Sequence, residues 1–166
     1  MRSLLVCLGN PLAGDDGVGW NIYKALVRKC LPPAVRVVHL GLAGLELVDL
    51  FDAEDFCVLV DAARTGDAPG TVKIRHPPRI SEATCAVSAH DIGFAEALAI
   101  SQALFPAKSP LRCRLVTVEG ACFDELCPTL TPIVKASIPK AVSAVLAQIR
   151  YGGLSDVAQV GPGQMS

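Results

Sequence analysis

Asp16, Asp61 and His90 are the side chains of this sequence best suited to act together. Two carboxylates and an imidazole can hold a borderline divalent metal and still leave coordination positions open for a substrate. Each residue also has a plainer reading. Asp16 could cap the helix that follows it, a role for which Asp15 competes. Asp61 could cap a turn through its own backbone, and His90 could be a surface residue at a helix start. What favours a shared site is topology, because all three are expected on one rim of one sheet. Other hydrolytic arrangements are weaker here. There is no G-x-S-x-G elbow and no H-E-x-x-H pair, Ser88 is only a loop neighbour of His90, and Cys85 is the one thiol close to it in sequence.

The elements that must position this trio alternate between strand and helix. Leu4-Leu5-Val6-Cys7-Leu8 and Phe56-Cys57-Val58-Leu59-Val60 are continuous apolar runs, as strands covered on both faces require. The second run stops at Asp61, and Asp16 falls in the loop after the first. Val35-Arg36-Val37-Val38 predicts a strand between them, and residues 111–118 another near the end. Thr71-Val72-Lys73-Ile74-Arg75 alternates apolar with polar, which predicts an edge strand with one wet face. Helical spacing marks Val18, Ile22, Ala25 and Leu26, then Leu47, Leu50 and Phe51, then residues 90–104 with His90 at the start. The last helix carries Val134, Ile138, Val142, Val145, Leu146 and Ile149, with Thr131 as its N-cap and Pro132 as its first residue.

This order predicts an α/β fold, a mostly parallel sheet with helices on both faces. Functional groups in such sheets gather beyond the carboxyl ends of the strands, where the strand order reverses. If the first and third strands are neighbours, Asp16 and Asp61 open on the same rim. The 166 residues fit one domain over 1–150, followed by an aperiodic tail over 151–166 expected to be mobile.

Composition removes several function classes. With 15 basic and 16 acidic residues, the net charge of −1 offers no footprint for nucleic acid or an anionic membrane. Mean hydropathy is +0.44, yet no apolar run approaches the ~18 residues of a membrane span. The apolar start breaks at Gly9-Asn10-Pro11, too early for a signal peptide. Seven scattered cysteines fit a reducing cytoplasm better than a disulfide framework, and Cys122 and Cys127 lack a second pair to complete a zinc site.

The segment Gly9-Asn10-Pro11-Leu12-Ala13-Gly14-Asp15-Asp16-Gly17-Val18-Gly19 resembles the opening motif of the hydrogenase maturation proteases, G-N-x-L-x-x-D-[DE]-x-x-G. Gly41 to Leu47, Val60-Asp61-Ala62 with Pro69-Gly70-Thr71, Ser88-Ala89-His90 and Leu130-Thr131-Pro132 match further family segments in order. The resemblance implies a three-layer fold with a five-stranded twisted sheet, mostly parallel, with one antiparallel edge strand that 71–75 would supply. It also implies that Asp16, Asp61 and His90 are the metal-binding and catalytic residues. The implied reaction is one endoproteolytic cut that removes the C-terminal extension of a nickel-iron hydrogenase large-subunit precursor after nickel insertion.

On that basis the expected partner is the large-subunit precursor and the expected metal is nickel, carried largely by the substrate, with another divalent cation able to take its place. The enzyme is expected to be a cytoplasmic monomer that binds neither membrane nor nucleic acid. The chain departs from the family at His39-Leu40-Gly41-Leu42, where relatives often carry D-G-G-[TS]. His39 is expected to be a strand-end surface residue rather than a fourth ligand. Two other functions remain in view. One is a non-catalytic nickel checkpoint that needs the same ligands. The other is a peptidyl-tRNA hydrolase, which shares only Leu8-Gly9-Asn10-Pro11 and needs a histidine that residues 12–35 lack.

Overall fold

A computed structural model describes residues 1–41, 44–76, 93–123 and 126–151. Five strands form one sheet: β1 (Ser3–Leu8), β2 (Val35–Leu40), β3 (Phe56–Ala63), β4 (Val72–Arg75) and β5 (Cys113–Glu119). Their order across the sheet is β2-β1-β3-β5-β4, parallel except for β4, which runs antiparallel to β5 at the edge. The helices are α1 (Val18–Leu26), α2 (Glu46–Leu50), α3 (Phe94–Leu104) and α4 (Pro132–Tyr151).

Strand alternation sends successive side chains to opposite faces, and the two faces have separate cores. Leu5, Cys7, Val58, Val60, Val116 and Val118 meet α1 and α4 through Val18, Ile22, Leu26, Val134 and Val145. Leu4, Val6, Leu8, Cys57 and Leu59 meet Leu47, Phe51, Phe94 and Ala97 on the side of α2 and α3. The expected three-layer sandwich is therefore present.

The neighbouring position of β1 and β3 decides where function gathers. From β1 the chain crosses through α1 to β2 on one side, then returns through α2 to β3 on the other. The strand order reverses between these two strands, and the crevice beyond their carboxyl ends is the switch point. Cys7 pairs with Val60, so Asp61 lies one residue further along β3, level with the exit of β1.

Two glycines let the chain turn there. Gly9 has φ +120°, and a Cβ on it would lie 2.0 Å from the carbonyl oxygen of Asp16. Gly19 lies in the first turn of α1, where a Cβ would lie 1.8 Å from the carbonyl oxygen of Leu8. A glycine inside a helix costs about 1 kcal/mol relative to alanine. Burying Val18, Ile22 and Leu26 completely returns about 1.5–3 kcal/mol each, so the close crossing is affordable.

Several boundaries differ from the sequence expectations. β3 continues past Asp61 to Ala63, because β5 pairs with it through Glu119. α3 starts at Phe94 rather than at His90. Gly93, with ψ 176°, is extended, and its carbonyl accepts the N–H of Ala97 as the first bond of the helix. Ile74 is 45% exposed despite its place on the apolar side of β4, since only Val72 reaches the core. Tyr151 ends α4 instead of opening the tail, and residues 152–166 lie outside the described part. Among the described residues, no helix is long and apolar enough to cross a membrane.

Candidate active site

Four carboxylates stand on the rim formed by the ends of β1, β3 and β5, and their surroundings divide them into two pairs. Asp15 and Glu119 are saturated with donors. Asp15 is fully buried and accepts the backbone N–H groups of Ala121 at 2.8 Å, Cys122 at 3.1 Å and Thr131 at 2.7 Å, together with the Thr131 hydroxyl at 2.9 Å. Burial pushes its carboxyl up, but the bonds from Ala121, Thr131 and Cys122 outweigh this and hold it below the ordinary aspartate range. Around it, the N–H of Gly14 bonds to the Cys127 carbonyl, that of Asp15 to Cys122, and that of Cys127 to Leu12. The loop after β1 is thereby fastened to the loop after β5.

Glu119 does the same for the loop after β3. Its carboxylate accepts the N–H groups of Thr65 at 2.6 Å and Gly66 at 2.8 Å and the Thr65 hydroxyl at 2.8 Å. Desolvation opposes its ionisation, yet these donors leave it more acidic than an ordinary glutamate. All three loops of the rim are thus fixed by buried carboxylates.

Asp16 and Asp61 are poorly supplied by comparison. Asp16 lies in the short 3₁₀ turn Gly14–Gly17 and accepts the N–H of Asn10 on Oδ2 at 2.5 Å. It is not the cap of α1, whose N-cap position is Gly17 with no side-chain bond. Asp61 accepts the N–H of the next residue, Ala62, on Oδ1 at 2.8 Å, inside the strand and not at a turn. Among the described residues, the second oxygen of each has no hydrogen-bond partner.

The two carboxylates also feel one another. Burial, above all, pushes Asp61 up from 3.8 to about 7; the Ala62 N–H opposes this, and the negative charge of Asp16 adds to it. Ionising the half-buried Asp61 beside a second carboxylate would leave negative charge uncompensated, which is why it holds its proton near neutrality. A cation placed between them would relieve it, so the donor set fits a divalent metal.

By alternation along β3, Asp61 shares the face of Cys57 and Leu59, which α2 and α3 cover. His90 precedes α3 in the chain and lies outside the described residues, as do Ser88 and Cys85. Among the described residues, no three metal-binding side chains converge. The structure therefore brings together two of the three expected site residues.

Other expectations are refined. Thr131 stands before α4, and its carbonyl accepts the first helical bond from Lys135, but its hydroxyl serves Asp15 rather than the helix. Cys122 and Cys127 fasten the rim through their backbones, and the described cysteines are free thiols. His39 is half-buried at the end of β2, tilted against Trp20 at 4.9 Å between centroids. Its Nε2 lies 3.0 Å from the Gly9 carbonyl.

The loops after β3 and β5 enclose an open depression of about 520 Å³, lined by Glu119 and Cys122 among others, with Arg64 stacked over Phe123 at 4.0 Å on its wall. A three-layer α/β protein with two donor-poor carboxylates at its switch point is the class that this fold and rim define.

Comparison with known proteins specifies it further. A family model described as hydrogenase maturation protease matches residues 21–148. The chain is 33% identical over 162 residues to the hydrogenase 2 maturation protease of Escherichia coli (strain K12), covering 95% of this chain and 96% of that protein. It is 29% identical to the hydrogenase expression/formation protein HupD of Rhizobium leguminosarum bv. viciae, over 95% of this chain and 79% of that one. The solved structure of the hydrogenase maturating endopeptidase HybD from E. coli matches with a TM-score of 0.76 and 32% identity, over 92% of this chain and 94% of its own. A [NiFe] hydrogenase maturation protease HybD from Thermococcus kodakarensis matches with a TM-score of 0.70 and 28% identity, over 88% and 97%. The chain belongs to the hydrogenase maturation protease family and is an endopeptidase of hydrogenase maturation.

Proposed function

We propose that this enzyme removes the C-terminal extension of a nickel-iron hydrogenase large-subunit precursor once nickel is in place, and that Asp16, Asp61 and His90 recognise that nickel. The observation that carries this is the Asp16–Asp61 pair at the β1/β3 switch point, with Asp61 raised to about 7 and one oxygen of each carboxylate unsatisfied among the described residues. His90, which precedes α3 in the chain and lies outside the described residues, would add a nitrogen donor to the set. Three ligands without a thiolate make an open site, suited to completing the coordination of a metal that the substrate brings. The depression between the loops after β3 and β5, on the same rim, offers room for a segment of the substrate peptide. The enzyme acts as a cytoplasmic monomer on this proposal.

The test is to incubate the purified enzyme with nickel-loaded and nickel-free precursor and follow the mass of the large subunit. Loss of the extension from the loaded precursor alone is the expected result. Equal cleavage of both would refute nickel recognition, and tight binding without mass loss would make the protein a checkpoint rather than a peptidase.

The raised pKa of Asp61 favours a second route, in which Asp61 and Asp16 activate a water as general acid and base. Cleavage of nickel-free precursor, with a rate that falls on both sides of an intermediate pH, would select it.

Cation binding should also release protons. Asp61 is protonated below about pH 7 and must ionise to serve as a ligand, and an imidazole must likewise be neutral. Titration with nickel(II) at pH 6.5 in buffers of different ionisation enthalpy should show proton release, reduced in Asp61→Asn and in His90→Ala. No release from the wild-type protein would show that neither group is a ligand.

A further inference from the structure

We propose that His39 is a positioning residue for Asp16, acting through the single peptide group between Gly9 and Asn10. This rests on the assignment of Asp16 to the site.

The peptide group is held at both ends. Its carbonyl lies 3.0 Å from His39 Nε2, and its N–H donates to Asp16 Oδ2 at 2.5 Å. A carbonyl can only accept, so Nε2 carries the proton and donates. The result is a continuous relay from imidazole N–H to Gly9 carbonyl and from Asn10 N–H to the Asp16 carboxylate. A donor on the carbonyl draws electron density out of the amide and makes its N–H a stronger donor, so the two bonds reinforce each other. The second is charge-assisted and therefore the more sensitive of the two.

The fold leaves the relay little freedom. His39 is paired with Cys7 across the β1–β2 ladder, and the N–H of Gly9 bonds to the Leu40 carbonyl at 3.2 Å. The ring of His39 rests against Trp20 at 4.9 Å and Tyr23 at 5.9 Å, both from α1. Gly9, at φ +120°, brings its peptide against the backbone of Asp16 where a Cβ would not fit. With Oδ2 committed to Asn10, Oδ1 of Asp16 remains for the site. The imidazole that stands where relatives often carry an acidic residue thus acts on the Asp16 carboxylate.

Two variants separate the donor from the ring. His39→Phe keeps an aromatic ring against Trp20 and removes the N–H. His39→Gln can place an amide N–H near the position of Nε2. In His39→Phe the Asn10 amide proton should move upfield and exchange faster, and kcat for precursor cleavage should fall about two- to fivefold with KM unchanged. His39→Gln should restore slow exchange and most of kcat. An Asn10 amide unchanged in His39→Phe, or equal losses in both variants, would overturn the relay. A displaced amide with unchanged kcat, while Asp16→Asn is inactive, would overturn positioning but leave the site assignment standing. If Asp16→Asn cleaves at the wild-type rate, the site assignment itself fails and the positioning role with it.

Discussion

Asp61→Asn is expected to abolish precursor cleavage and to raise the melting temperature of the metal-free protein at pH 8, with little change at pH 4. The two effects share one cause. Folding takes the Asp61 carboxyl from water to a half-buried position beside Asp16, and its pKa rises from 3.8 to about 7. Below about pH 4 the side chain is largely neutral in both folded and unfolded chains, so it costs nothing. Between pH 4 and 7 the unfolded chain ionises while the folded chain does not, and stability is lost as pH rises. Above about pH 7 both states are ionised and the penalty is constant. An asparagine never ionises, keeps an oxygen for the Ala62 N–H, and fills the same space. It should therefore recover on the order of 2–4 kcal/mol at pH 8, or about 5–10 °C in Tm. The same change removes a carboxylate ligand and the group able to exchange a proton, so cleavage should drop by at least about 10³-fold. Thermal denaturation in a chelator at pH 4 and pH 8, beside a cleavage assay, measures both. A variant destabilised at pH 8 would show that Asp61 is a structural carboxylate, and wild-type cleavage would remove it from the site.

That a stabilising substitution should be inactivating explains which parts of the site were legible in the sequence. Local patterns revealed the strands, since Leu4–Leu8 and Phe56–Val60 are apolar on both faces, and the alternation at 71–75 revealed the edge. The adjacency of β1 and β3 then followed from general α/β topology and placed Asp16 and Asp61 on one rim. The division of labour between Asp15 and Asp16 had no such signal. They are adjacent and chemically identical, and what separates them is that Asp15 reaches donors more than a hundred residues away, at Ala121, Cys122 and Thr131. Thr131 was visible only as a helix cap, because a side chain before a proline says nothing about a distant partner. In retrospect the pairing of Asp15 with Thr131 joins two of the segments that carry the family resemblance, 9–19 and 130–132. The sequence shows His39 only as a strand-end residue for a similar reason, since its partner is a backbone carbonyl thirty residues earlier. The start of α3 at Phe94 has no sequence signal, because Gly93 is extended and a glycine is compatible with either conformation.

Asp15→Ala should have the opposite signature to Asp61→Asn, a large loss of stability. The side chain is fully buried and accepts the N–H groups of Ala121, Cys122 and Thr131. Alanine would leave those donors facing a cavity the size of a carboxylate, and each stranded group costs about 1–3 kcal/mol. Partial relaxation and entering water reduce the sum, so the expected loss is about 3–5 kcal/mol, read as a lower midpoint in urea. Asp15→Asn keeps one acceptor oxygen but turns an N–H toward other donors, and should fall between the two. The pH dependence follows from the lowered pKa of Asp15. Its contribution is complete above the ordinary aspartate range and is lost as pH falls below about 4 and the folded carboxyl takes up a proton. The difference between wild type and Asp15→Ala should therefore shrink in acid, whereas the gain of Asp61→Asn appears only as pH rises. Cleavage by Asp15→Ala should also fall, although Asp15 has no free oxygen to offer a substrate, because the turn that carries Asp16 is no longer fastened to the loop after β5. Equal urea midpoints for Asp15→Ala and wild type at pH 7 would show that backbone bonds alone, from Gly14 to Cys127 and from Asp15 to Cys122, hold the rim together.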